Sequence, residues 1–128
     1  MTHRHYSPQL LDHFDNPRHM GRFDHQDPSI STGYIQTNTQ DEVIQFQLKI
    51  DKHGIIKDIA WSALGNPAII AGCSLLSELV LNKSLDEAQQ LKADELAEKL
   101  AVSKLRFSSI LLVEEALQKA IQTADDKF

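Results

Sequence analysis

The chain holds a single cysteine, Cys73, and that count limits the chemistry open to it. A lone thiol cannot close a disulfide within the chain and cannot supply a multi-thiolate metal site. Cys73 falls on the stripe Ile69, Cys73, Leu76 and Val80 of the most apolar segment. Helical spacing therefore predicts a core cysteine, packed as a small hydrophobe with a raised pKa. Ser108 and Ser109 are adjacent hydroxyls, but no nucleophile-elbow pattern and no base–orienter pair accompany them, so a hydrolase reading finds no support. Asn66-Pro67 precedes the apolar segment. Its N–H groups could face an anion, or Asn66 could simply cap the helix. Six histidines (His3, His5, His13, His19, His25 and His53) are scattered over the N-terminal half. Met1-Thr2-His3 has the spacing of a square-planar copper or nickel site if the amino terminus is free. Fraying, or loss of Met1, removes it.

These residues must be positioned by the elements around them. A first helix is expected from Ser7 to Asp15, with Pro8 in its first turn and Leu10, Leu11 and Phe14 as its apolar stripe. Asn16-Pro17 ends it, because the residue before proline disfavours the α conformation. Residues Arg18 to Ser31, rich in Gly, Pro, Asp and His, read as a loop. Three strands follow: a short one from Gly33 to Thr37, Glu42 to Ile50, and Ile55 to Ala63 carrying Ile55, Ile59 and Trp61. Ile44, Phe46, Leu48 and Ile50 alternate with Val43, Gln45, Gln47 and Lys49, the period of a sheet covered on one face. The Asp51-Lys52-His53-Gly54 turn and short connections favour an antiparallel meander. Ala68 to Leu81 is apolar nearly all round and predicts a buried central helix. Ser84 with Glu87 three residues on forms a capping box for the next helix. Short and long amphipathic helices are expected over Ala93–Leu100 and Leu105–Ala124, the latter with Ile110, Val113, Leu117 and Ile121 inward. The fold class is α+β: a small three-stranded antiparallel sheet with an N-terminal helix and several C-terminal helices on one face.

The 128 residues suit one domain, residues 1–128, which buries roughly two-thirds of its unfolded surface. Hydrophobic residues at 41% and charged residues at 24% are ordinary for a soluble globular chain and exclude collagen-like, disordered and disulfide-rich classes. A net charge of −5 argues against nucleic acid or an anionic membrane as main partner, since both need a basic face. No segment is long and apolar enough to span a bilayer, and no apolar run follows the N-terminus to suggest a signal peptide. A cytoplasmic location is expected.

Three stretches carry a family resemblance: Tyr6 to Gly21 (YSPQLLDHFDNPRHMG), Val43–Ile50 with Gly54–Asp58, and Lys83 to Gln89 (KSLDEAQ). In this order and spacing the chain resembles the IscU/NifU-type iron–sulfur cluster scaffold family from about Tyr6 to about Ala124. The resemblance implies the family's fold and its chemistry. Three cysteine thiolates, helped by an aspartate and often a histidine, receive sulfur from a cysteine desulfurase, assemble a [2Fe–2S] cluster and pass it on. Thiolates suit iron because they are soft, anionic ligands.

This sequence departs from that pattern at each cysteine. Gln40 stands at the first ligand position and Glu42 at the aspartate. Asn66 stands at the second. Ser108 replaces the histidine and Ser109 the third cysteine. The family's Leu-Pro-Pro-Val-Lys chaperone-recognition segment reads Val102-Ser103-Lys104-Leu105-Arg106, without its prolines. Gln, Asn and Ser are neutral donors. None can take sulfur as a persulfide, and none is a good iron–sulfur ligand. The fold would persist with its active chemistry deleted.

The expected protein is therefore a non-enzymatic scaffold homologue with no cluster of its own, where the family cofactor would be a [2Fe–2S] cluster or iron. Its expected partners are a cysteine desulfurase or an intact scaffold paralogue. Tyr6, Asn16, Pro17 and Arg18 match the family segment near the desulfurase contact, although Asn-Pro-Arg could equally just terminate a helix and pack the loop. The alternative is a metal or cluster carrier with atypical ligands. It would use either Cys73 across a dimer, which needs that thiol exposed, or the patch of Gln40, Glu42 and Ser109. Gln40, Asp41, Glu42, Asn66 and Ser109 together could offer oxygen ligands to a hard cation, or be a solvated polar patch. A third reading is a binding domain unrelated to iron and sulfur. The sequence leaves the oligomeric state open.

Overall fold

Residues 6–24, 26–37 and 41–127 are described by a computed structural model of the chain. Helix α1 (Pro8–Asp15) leads into strands β1 (Ile30–Gln36), β2 (Val43–Ile50) and β3 (Ile56–Leu64). Helices α2 (Pro67–Val80), α3 (Leu85–Gln89) and α4 (Ala93–Lys99) follow. A 3-10 turn (Lys104–Arg106) then runs into α5 (Phe107–Lys127). The sheet is an antiparallel meander in the order β1-β2-β3. This is the α+β arrangement expected, with α5 packed on β1 and β2 and α2 on β3.

Local signals set the helix starts. Ser7 Oγ accepts from Leu10 N–H at 3.0 Å with Pro8 at the first helical position, so α1 begins one residue after its cap. Its buried residues are Leu10 and His13, while Leu11 and Phe14 are only half-buried. The expected stripe thus omitted its polar member. The Ser84–Glu87 capping box forms as read from the sequence.

The strands differ from expectation at their ends. β1 starts at Ile30 rather than Gly33, because the ladder extends until Ile50 N–H bonds Ser29 C=O. β2 starts at Val43, after Glu42. In β3 the inward residue is Ile56, fully buried, and not Ile55. The register shift between Lys49 and Ile50 explains this: Lys49 faces Asp58 while Ile50 faces Ile56, leaving Lys57 as an extra residue. A bulge of one residue reverses which side chains face the core. Ile55 instead bridges Ser84.

Trp61, Phe46, Leu48 and Ile44 meet α2 and the α5 stripe Ile110, Val113, Leu117 and Ile121 in one core. Gly33 lets β1 lie against α5, since a Cβ there would stand 2.3 Å from Ala120 N. The opposite face of the sheet is not wholly open. Gln47 is buried on that side because Phe23 N–H donates to its Oε1 at 2.7 Å.

Candidate functional site

Asn66 closes the β3–α2 turn. Its Oδ1 accepts from Ile69 N–H at 3.1 Å and caps α2, leaving its Nδ2 free to point elsewhere. That nitrogen donates to Ser109 Oγ at 2.9 Å. Ser109 lies in the first turns of α5 and is buried, whereas neighbouring Ser108 is exposed. Two of the three positions read as replaced ligands therefore meet. Helix geometry turns Ser108 away by about 100° from Ser109.

Glu42 is also buried, beside the end of the β1–β2 hairpin. Its backbone N–H donates to Thr37 Oγ1 at 3.1 Å, and its C=O accepts from Thr37 N–H at 2.9 Å. The Thr37 hydroxyl reaches Glu42 Oε1 only at 3.5 Å. Asp41 before it is exposed and adopts φ 54°, a left-handed conformation suited to a tight turn. Thr37 is a member of this end that sequence reasoning missed. Only its pairing across the hairpin reveals it. Gln40 lies outside the described residues, as do His3, His5 and His25 with the proposed Met1-Thr2-His3 motif.

Cys73 is fully buried among core residues of α2, and burial pushes its thiol pKa far up. The core reading of the sequence is correct. The same burial removes the alternative of a carrier using Cys73 across a dimer, since the thiol reaches no surface. Asn66-Pro67 acts as a helix cap, with the Asn66 side chain occupied on both its oxygen and its nitrogen.

The donor set does not fit an iron–sulfur cluster. The amide of Asn66 and the hydroxyl of Ser109 satisfy each other, both are neutral, and the one thiol lies inside the core. Among the described residues no group of three or more His, Cys, Asp or Glu side chains is gathered to hold a metal ion.

A second polar constellation joins α1 to α2. Ser74, buried in α2, accepts from Arg18 N–H at 2.9 Å and lies 2.8 Å from His13 Nδ1. Donating its own proton to Nδ1 leaves the imidazole proton on Nε2, which faces Glu78 Oε1 at 3.7 Å. Burial, reinforced by the Arg18 guanidinium, lowers the His13 pKa and favours the neutral ring. The Arg18 carbonyl accepts from Trp61 Nε1–H at 2.7 Å, and the Ser77 hydroxyl stands 3.2 Å away. The Arg18 side chain is half-buried between Asp12 at 2.9 Å and Glu78 at 3.6 Å. Asn16 ends α1, its Nδ2 bonding Asp12 C=O at 3.2 Å, and Pro17 is half-buried behind it. Tyr6 lies under the Arg106 guanidinium, 5.5 Å from ring centroid to Cζ. Of these four sequence-selected residues, Arg18 ties the N-terminal segment to α2 and β3 and Tyr6 meets the 3-10 turn, while the bonds of Asn16 stay within α1. Among the described residues none of their hydrogen bonds reaches Asn66 or Ser109.

Fold and site together define a class: a small scaffold of helices on a three-stranded meander, whose turns at one end carry polar residues without thiolates. The chain belongs to the NifU-like N-terminal domain family, whose model matches residues 5–127. It is 36% identical over 116 residues, 91% of each chain, to the iron-sulfur cluster assembly scaffold protein IscU of Escherichia coli (strain K12). To the scaffold protein IscU of Azotobacter vinelandii it is 33% identical over 117 residues, again 91% of each. A nitrogen-fixing NifU-like protein (N-terminal) from Brucella abortus shares the fold with a TM-score of 0.75, at 16% identity over 95% of each chain. No helix among the described residues is long and apolar enough to cross a membrane.

Proposed function

We propose that this chain works in iron–sulfur cluster assembly as a scaffold homologue that binds pathway partners and holds no cluster at the family's three-cysteine position. The single observation that carries the reading is the Asn66–Ser109 hydrogen bond. Where the family places two thiolates, two neutral side chains are bonded to each other. Neither can accept sulfur, so the chain is not an enzyme of sulfur transfer and expects no cofactor. The family fold beside the altered site supports a role through contact. Its partners are a cysteine desulfurase or an intact scaffold paralogue, met through the surface around Tyr6, Asn16, Pro17 and Arg18.

Two measurements test this. Anaerobic incubation with ferrous iron, sulfide and reductant, followed by desalting, should leave no visible absorbance and no retained iron. A stable coloured protein would overturn the no-cluster part and return attention to Gln40, Glu42 and Ser109. Titration with a cysteine desulfurase, and separately with a three-cysteine scaffold, should give saturable binding to at least one. Binding to neither would overturn the partner part.

A further inference from the structure

A metal site at a junction of chain turns is also a fastening, because ligands from distant segments are ordered by the ion they share. The residues that face one another here come from two such segments, the β3–α2 turn and the first turns of α5. We infer that the Asn66–Ser109 hydrogen bond is a permanent, metal-independent lock on this end of the molecule, so that its order and its partner contacts do not respond to metal supply. The inference deepens the proposed function and rests on it only for the partner contacts.

The geometry favours a lock over a chance contact. Asn66 uses its carbonyl oxygen for the α2 cap and its amide nitrogen for Ser109, so one planar group ties the start of α2 to α5. A cysteine at this position could not serve both partners, having no amide nitrogen to donate. Ser109 is buried at 5% exposure, so its oxygen would otherwise lack a full share of water. On either side the helices are already packed through Ile69, Ile110 and Val113, and Gly72 of α2 lies close to Ile110 and Val113. The hydrogen bond therefore closes the polar end of an apolar α2–α5 contact.

The test compares the wild-type chain with Asn66→Ser, Ser109→Ala and the double variant. Serine keeps a good helix cap but is too short to reach position 109. Each single change should lower Tm by about 4 °C, and the double variant should fall no further than the lower single. Wild-type Tm should be the same in EDTA, in zinc and in ferrous iron. Amide hydrogen exchange at the first turns of α2 and α5 should be equally slow in all three, and faster in Ser109→Ala. Additive losses in the double variant would overturn the lock, and so would a Tm raised several degrees by zinc or iron. Desulfurase affinity should be unchanged between EDTA and iron. A metal-dependent affinity overturns the inference, while a complete lack of binding overturns the proposed partner and leaves the Tm and exchange results to decide the lock.

Discussion

Asn66 Nδ2 donates to Ser109 Oγ at 2.9 Å, joining residues 43 positions apart in the chain. Two of the three positions at which the family resemblance sets cysteines are thus neighbours here, with neither a cysteine. Fold and site chemistry are separable here: the backbone brings the two positions together, and their side chains are neutral and bonded to each other.

That proximity predicts a recoverable metal site. Two sulfurs placed at these positions can share one tetrahedral ion, because their side-chain termini already meet. The variant Asn66→Cys with Ser109→Cys, kept reduced, should bind Co²⁺ with thiolate charge-transfer absorption that wild type lacks. Cobalt titration followed by ultraviolet–visible spectroscopy checks this. A flat spectrum would show that the ends do not hold their arrangement once the hydrogen bond is gone.

Cys73 should behave as an inert core residue. Burial raises its pKa and hides its sulfur, so a thiol reagent should label the native protein slowly and the unfolded protein at once. Replacing it with alanine should cost about 1 kcal/mol and leave partner binding intact. Timed labelling across a denaturant series measures both the protection and its loss.

Gly33→Ala should be far more damaging than its size suggests. The new Cβ would stand 2.3 Å from Ala120 N and 2.4 Å from Ala116 O, both backbone atoms that cannot rotate away. Separating β1 from α5 should cost more than about 3 kcal/mol. Urea unfolding of the variant, or its failure to accumulate as folded protein, is the readout. A loss below 1 kcal/mol would mean that α5 shifts freely on the sheet.

His13 should make stability fall on mild acidification. Its folded pKa is lowered below the ordinary 6.5 by burial and by Arg18. The unfolded chain therefore binds the proton more readily than the folded one. The contribution of the neutral ring is complete above about pH 6.5 and is lost as pH falls toward and through the folded pKa. Asp12, held low first by its hydrogen bond with Arg18, weakens only at lower pH. Denaturant midpoints from pH 8 to pH 5 should decline in wild type and be flatter in His13→Gln. Equal slopes would place the loss elsewhere.

Much of this molecule is written in local signals. The period-two run from Val43 to Ile50, the Ser84–Glu87 box and the Asn66-Pro67 cap act within a few residues, so pattern alone places those elements. One cysteine likewise determines that this chain by itself supplies no multi-thiolate site. Other features depend on partners far along the chain. The bulge at Lys57 turns Ile56 inward in place of Ile55, and only the pairing with Lys49 and Ile50 decides it. His13 is buried because Ser74 and Glu78 of α2 receive it, and Arg18 is anchored through backbone groups that carry no side-chain signature. The sequence by itself determined which atoms the old ligand positions hold. The tertiary structure decided that two of them satisfy each other, because a hydrogen bond needs position and direction that composition does not contain.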